Sequence, residues 1–551
     1  MLDRTTDSVP PRHPTAADTR QVKALIRAVA TELRRHGTPS FNAVSNAWLE
    51  SQPQSLWPLL NAAVAASTAH RRDEAVITAT RWLLANQLEL IRYRLERGHE
   101  WARSMLDAYQ EKVIALVQAD ALPEADWFEL VNLLKVAKVA IRPEIAEALA
   151  LAAAHTTPDD ASGATPQDLL HQLRGLLDEL GTSAENPFMV VEGLAETGAL
   201  MPTDLRAFMT HELGLSPHPV LREAVPLLLL DPEPAVRRAA AAVLEQIAVP
   251  ETISPVMLRR TLLVRNWVPE GEREAIDRLI RKARMKGVTF AQWAEAPALA
   301  INCSMVDGSG AQSLLLTTPA GRTSLFVGLL LKQDFGIRDA WCDGSLPRHK
   351  INRTLKEAQR TMTWHATGRE HLDVVVQHHI ARGLAMEHLP QASTVEIAEM
   401  IGAADWKDRG LDVAAETERL FDGLGASLQS HGAIAASLQR SGEWIADDGA
   451  MQSWFEDDAV IRELVERRPR LKPDVAVRQA IEEVLPTRRE VWAERLLLQA
   501  LWLQAGSGDA GRWQDCVVLA HELVAGHPLT GLPAMVAIAE RSIFAARVGT
   551  W

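Results

Sequence analysis

The stretch LAINCSMVDGSGAQSLLLTTPAGRTSLFVGLLLKQDFGIRDA, Leu299 to Ala340, decides how the rest of the chain is read. Leu299–Ser304 is a short apolar run, and Asp307-Gly308-Ser309-Gly310 makes a turn. Ser313–Thr317 is a second run, followed by the turn Thr318-Pro319-Ala320-Gly321-Arg322. Thr323–Leu331 is a longer third run, and Phe335-Gly336-Ile337-Arg338-Asp339 leads out of it. Short apolar runs bounded by Gly, Pro and Asp are the pattern of strands joined by tight turns. Leu314, Leu316, Leu325, Val327 and Leu329 alternate as the buried face of a half-covered sheet requires. The stretch predicts a small antiparallel β-meander near residues 299–343.

On either side the periodicity is helical. Asp18 reads as a cap, Val22, Leu25, Ile26, Val29 and Leu33 follow on one face, and Gly37 ends the helix. Asp73–Arg97, Trp101–Val117, Pro123–Val139 and Pro143–Ala154 continue the series. Thr156–Thr165, rich in Thr, Pro, Asp, Gly and Ala, reads as a boundary or long loop. Beyond the meander, Ser393 with Glu396 has capping-box spacing, and Trp444, Trp454, Trp492, Trp502 and Trp513 read as core anchors.

With 551 residues the chain exceeds what one hydrophobic core supports. Its hydrophobic and charged fractions, 47% and 23%, are those of a globular protein. A net charge of -13 disfavours a general nucleic-acid binder while allowing a local basic patch. The three cysteines, Cys303, Cys342 and Cys516, form neither a CxxC nor a disulfide framework, so a cytoplasmic setting is expected. No apolar run reaches membrane-span length and no secretory leader is legible, so no membrane partner is expected. Residues 1–17 are polar and rich in Pro and Thr, and are expected to be disordered.

An internal echo lies upstream of the meander. Ser216-Pro217-His218-Pro219-Val220-Leu221-Arg222-Glu223-Ala224 is followed fifteen residues on by Asp231-Pro232-Glu233-Pro234-Ala235-Val236-Arg237-Arg238-Ala239, with Pro, Pro, Arg and Ala in register. The second copy resembles the opening of a HEAT-type helical repeat, Asp-Pro-x-Pro-x-Val-Arg-x-x-Ala. The likeness is clear around residues 216–247, and the offset is shorter than a two-helix repeat. The resemblance implies stacked helices and an extended binding surface, with no particular chemistry. Ser453–Asp458, Arg488–Arg495 and Phe335–Ala340 are similar to patterns in uncharacterised bacterial helical proteins, a likeness that implies no mechanism.

Two basic segments flank the meander. Arg259–Lys286 holds nine Lys or Arg against four acids, including Arg278, Arg281, Lys282, Arg284 and Lys286. Arg348, Lys350, Arg353, Lys356 and Arg360 follow the meander with one acid, Glu357; Arg353, Lys356 and Arg360 share a helix face. Such cations could neutralise phosphates, although the aromatic interleaving of a single-strand binder is thin, and a solvated face is the bland alternative. Among His365, His371, His378, His379 and His388, the pair His371 and His378 shares a helix face and is the candidate metal pair. The tight His-Glu-x-x-His spacing is absent. Ser309 sits in a hairpin turn and lacks the Gly-x-Ser-x-Gly context of a nucleophile. No phosphate-cradling motif occurs. Asp447, Asp448, Glu456, Asp457 and Asp458 lack the ligand order of a calcium loop. No catalytic residue and no cofactor are expected.

The fold class expected is mostly α: a HEAT-like helical array with a small antiparallel β-meander inserted near 299–343. The segments are a disordered 1–17, a helical domain 18–155, a HEAT-like region 166–295, the meander 296–345 and a helical domain 346–551. The leading functional expectation is a non-enzymatic scaffold that binds a protein partner in the cytoplasm, with Arg338, Asp339 and Trp341 as candidate partner-binding residues. The alternatives are a nucleic-acid-binding protein using the basic helices, and a metal-dependent enzyme using the His365–His388 cluster. Oligomeric state has no sequence signal.

Overall fold

The computed structural model describes residues 13–548 except 38, 41–42, 97–98, 120, 143, 146–147, 149–165, 199–200, 296, 319–322, 448–450, 469 and 507–509. The expected boundary at 156–165, most of the expected 143–154 helix and the turn residues 319–322 therefore lie outside the described residues, as do residues 1–12 of the expected disordered terminus. Contacts in space divide the chain into two units, Met1–Leu170 with Leu194–Pro202, and His171–Gly193 with Thr203–Trp551. The described residues are mostly helical, with an inserted antiparallel sheet, as the sequence predicts.

The first unit packs helices around Val22, Leu25, Leu83, Leu88, Tyr109 and Leu134. Its first helix, Ala16–His36, begins one turn earlier than expected. Thr15 is the N-cap and Asp18 the third residue of a capping box, their side chains meeting each other's backbone N–H groups. Gly37 closes that helix in the left-handed conformation.

In the second unit the echo is structural as well as sequential. Arg222 Nη1 donates to the carbonyls of Ser216 and Pro217 at 2.6 and 2.8 Å. Arg237 Nη1 donates to those of Asp231 and Pro232 at 2.8 and 2.9 Å. In each copy the arginine folds back onto the turn that opens its helix and satisfies two carbonyls there. The copies then diverge. Pro219–Ala224 tightens into a 3-10 stretch, Val225–Leu230, because Pro226 supplies no N–H for an interior helical bond. Pro234–Gln246 continues as a full helix.

The sheet is larger than the expected meander. It has five antiparallel-paired strands in the order β4-β3-β2-β1-β5: β1 Ala300–Ser304, β2 Ala311–Thr317, β3 Thr323–Lys332, β4 Gly336–Pro347 and β5 Trp364–Thr367. β4 escapes a reading by alternation because its register against β3 shifts twice, between Leu325 and Val327 and between Leu330 and Leu331; each bulge breaks the period of two. β5 is only four residues long and follows a helix, Arg348–Thr361, that carries the chain from one sheet edge to the other.

One sheet face presents Cys303, Leu314, Leu316, Val327, Leu329 and Leu331, all buried. Trp502 Nε1 of the Arg489–Ala505 helix donates to the Cys303 carbonyl at 2.9 Å. Leu325, expected in this set, is half-buried beside the first bulge. The other face carries Leu315, Phe326 and Trp341 under Ile351, Leu355 and Ala358 of the Arg348–Thr361 helix. Gly328 makes this cover possible: a Cβ there would lie 2.2 Å from the Trp341 ring, so the missing side chain is the slot the indole fills. Gly336, at φ +95°, turns β3 into β4, and a Cβ on it would lie 2.6 Å from Gly383 Cα, so this turn seats directly on the Arg369–Ala385 helix.

Candidate functional site

The two basic segments differ in what their charges do. Most cations of the first are engaged within the protein. Arg259 and Arg260 converge on the Glu399 carboxylate at 2.8–3.0 Å, Arg265 chelates Asp277 at 2.9 Å, and Arg273 bonds Asp408 at 2.6 Å. On the exposed side of the Glu270–Met285 helix, Arg278 bonds Glu274 at 3.2 Å. Lys282 caps the Glu245 carbonyl at 2.7 Å, and Arg284 lies over the Phe290 ring. Arg281 and Lys286 are exposed.

The second segment folds as the Arg348–Thr361 helix. Ile351, Leu355 and Ala358, spaced four and three apart, hold it to the sheet. Arg348, Lys350, Arg353, Lys356 and Arg360 are all exposed, and none makes an ion pair among the described residues. The helix therefore offers a row of unpaired cations roughly 20 Å long on a rigid sheet platform.

The proposed partner-binding residues have structural neighbours. Trp341 packs edge-on to Phe326 at 5.0 Å beneath the cationic helix. Arg338 is the extra residue of the second β4 bulge, with its guanidinium 4.5 Å from the Phe335 ring centroid. Phe335 stacks in turn on His388 at 4.0 Å. Asp339 Oδ1 accepts from the Ala340 backbone. Ser393 is not a cap: its hydroxyl donates to the Ala340 carbonyl at 2.7 Å and ties the Ala392–Ile401 helix, which begins after Gln391, to β4.

The histidine cluster disperses. His365 stacks on Trp502 at 4.2 Å. His379 is fully buried and donates from Nδ1 to the Val375 carbonyl at 2.7 Å; burial, reinforced by His378, pushes its imidazole down to about 3. His378 Nδ1 accepts from Leu411 N–H at 3.1 Å, which leaves Nε2 to donate to Glu494 at 2.9 Å. Both His378 nitrogens are thus committed to protein partners. Burial alone would raise the Glu494 carboxyl; hydrogen bonds from His378 and Gln333, with the charge of Arg382, outweigh it and hold it below the usual carboxylate range. His371, the other half of the candidate metal pair, has no protein partner on either nitrogen. Among the described residues no group of three or more His, Cys, Asp or Glu is arranged to hold a metal ion.

A buried polar knot joins the β3–β4 turn to the C-terminal helices. Arg495 Nε donates to Gln333 Oε1 at 2.9 Å, and Gln333 Nε2 donates to the Val491 carbonyl at 3.0 Å. Glu456, 3% exposed, accepts from Arg488 at 3.0 Å and from Trp492 Nε1 at 2.9 Å. These contacts span more than 150 residues of sequence between Gln333 and Arg495, and no local pattern announces them. Ser309 donates to Asp307 Oδ1 at 2.7 Å within its turn. Cys303 and Cys516 are buried, and burial raises both thiols.

Sequence reasoning also missed a cleft of about 550 Å³. It runs along the Arg369–Ala385 helix from its start towards the loop around Arg409, which packs at His378 and Ala381, and the end of the Arg489–Ala505 helix supplies another wall. Glu370, His371, Gln377, Arg409, Arg419 and Gln504 give it polar walls. These residues come from segments about 40 and 90 positions apart, so only the fold assembles them.

Two parts of the chain match family models: residues 202–287 the Y4lR second domain, and residues 414–547 the Y4lR C-terminal helical domain. The first contains the echo and the first basic helix; the second contains Glu456 and the Trp492–Arg495 knot. Over 506 residues the chain is 23% identical to the uncharacterized protein y4lR of Sinorhizobium fredii (strain NBRC 101917 / NGR234), spanning 89% of this chain and 92% of that protein. These likenesses support a relation to an uncharacterised bacterial family. No solved structure matches. The sheet and the cationic helix lie outside both family-model matches.

Proposed function

We propose that this chain is a non-enzymatic interaction protein that docks an acidic segment of a protein partner on the Arg348–Thr361 helix. The observation that carries the reading is the row of five exposed cations without an ion pair among the described residues. In a protein of net charge -13, such a row is an isolated cationic feature. A short acidic segment matches its length, whereas a long nucleic-acid strand would run on from it over a net acidic molecule. The repeated Arg222 and Arg237 turn contacts support a HEAT-like stacking of the preceding helices as the scaffold. The unpaired cysteines support a cytoplasmic setting.

The test is fluorescence anisotropy of the full chain with a Glu/Asp-rich helical peptide, and with single-stranded RNA and duplex DNA of equal length. The peptide is expected to bind with a marked salt dependence. The triple variant Arg353→Glu, Lys356→Glu, Arg360→Glu is expected to lose about tenfold or more in affinity. Tighter binding of either nucleic acid would favour that partner class instead, and peptide binding untouched by the triple reversal would remove the helix from the reading.

A further inference from the structure

The cleft beside the start of the Arg369–Ala385 helix is independent of the cationic helix. Its volume, about 550 Å³, is in the range of small-molecule sites. Its charges are of both signs and unevenly satisfied. Arg419 is held by Glu416 through two hydrogen bonds of 2.8 and 2.5 Å. Arg409 and Glu370, contributed by different segments, are exposed and make no ion pair among the described residues. The cleft thus presents one unpaired cation and one unpaired anion.

His371 completes the wall. It is 7% exposed, and neither ring nitrogen has a protein partner. Buried polar atoms in folded proteins are nearly always paired with protein, water or a ligand. Burial pushes this imidazole down to about 4, so near neutrality it carries one N–H donor and one lone pair. Both nitrogens lie out of reach of solvent as the ring stands and no hydrogen bond fixes it, so a ligand in the cleft would reach them only after the ring turns about its Cβ–Cγ bond. Val374, Leu411 and Leu501 supply apolar surface between the polar groups.

We infer that this cleft binds a small zwitterion of the α-amino-acid class, its carboxylate met by Arg409 and its ammonium by Glu370. Gln377, and His371 once its ring has turned, then serve the remaining polar atoms. A phosphate dianion fits less well, because one free guanidinium faces it while Glu370 repels it.

The test is calorimetric titration of the full chain with each common free α-amino acid, with the N-acetylated amide of any amino acid that binds, and with inorganic phosphate. At least one free amino acid is expected to bind and its blocked amide to fail. Arg409→Gln and Glu370→Gln, both at exposed positions, are each expected to weaken binding by about tenfold or more. The inference is overturned if no free amino acid binds, if the blocked form or phosphate binds as well as the free acid, or if neither substitution weakens binding.

Discussion

Two buried histidines make the second unit acid-sensitive in a way that can be worked out beforehand. His371 and His379 titrate at about 4 and about 3 in the fold, because burial disfavours the charged ring, against an ordinary 6.5. Above about pH 6.5 the rings are neutral in both folded and unfolded chains and contribute no pH dependence. As the pH falls below that value, the unfolded chain takes up protons that the folded chain refuses, so each proton favours unfolding. The cost grows by up to ~1.4 kcal/mol per pH unit per histidine until the folded-state value is reached. In total this is about 3 kcal/mol for His371 and about 5 kcal/mol for His379, a large share of the ~5–15 kcal/mol typical of a folded domain. Paired carboxylates such as Glu494 add their own acid loss, so the histidine share is isolated by substitution. His371→Gln removes a titrating ring. His379→Asn does the same while its amide nitrogen can still donate to the Val375 carbonyl. Urea unfolding of the full chain, followed by tryptophan fluorescence between about pH 6.5 and about pH 4.5, should give a shallower stability-versus-pH slope in each variant than in the parent. The difference should approach ~1 kcal/mol per pH unit in the lower half of that range. Parallel curves for parent and variants would refute the reasoning, since a ring that stays neutral in the fold must contribute that slope.

Two further outcomes follow from the packing. Arg222→Ala and Arg237→Ala each remove two bonds to turn carbonyls; Arg222 also donates from Nε to the Thr252 carbonyl at 3.3 Å, whereas Arg237 chelates Glu272 at 2.7 and 2.6 Å. Arg237→Ala should therefore cost roughly 1–2 kcal/mol more in urea unfolding, and equal costs would show that the Glu272 contact is worth no more than the Thr252 bond. Gly328→Ala places a methyl where the Trp341 ring lies, so it should destabilise by about 1–3 kcal/mol and shift tryptophan emission as the indole moves; an unchanged midpoint would mean that the slot relaxes freely.

Much of the local structure could be read directly. Gly37 and the stripe from Val22 to Val29 place the first helix, and the runs around Leu314 and Val327 place β2 and β3. The reading failed where the signal was interrupted or non-local. β4 carries two bulges that spoil alternation, and β5 is too short to show a period. Ser393 has the spacing of a capping box, yet its hydroxyl serves a strand carbonyl more than 50 residues away. For the candidate sites, charge composition singled out both basic segments equally. Only the contacts showed that Arg259, Arg260, Arg265 and Arg273 are spent on internal carboxylates while the second row is not.

The histidines show the division most plainly. Their spacing on one helix follows from the sequence alone, because residues seven apart return to the same face. What each ring does depends on which distant segment packs against it: Glu494 and the Leu411 amide claim His378, apolar packing and the Val375 carbonyl seal His379, and the cleft leaves His371 unclaimed. Periodicity and turn chemistry act between near neighbours, so the sequence by itself determined the helices, most of the strands and the turn at Ser309. Burial and charge compensation depend on groups brought together from far apart, so tertiary structure alone decided which cations stay free, which histidine lines the cleft and where the sheet ends.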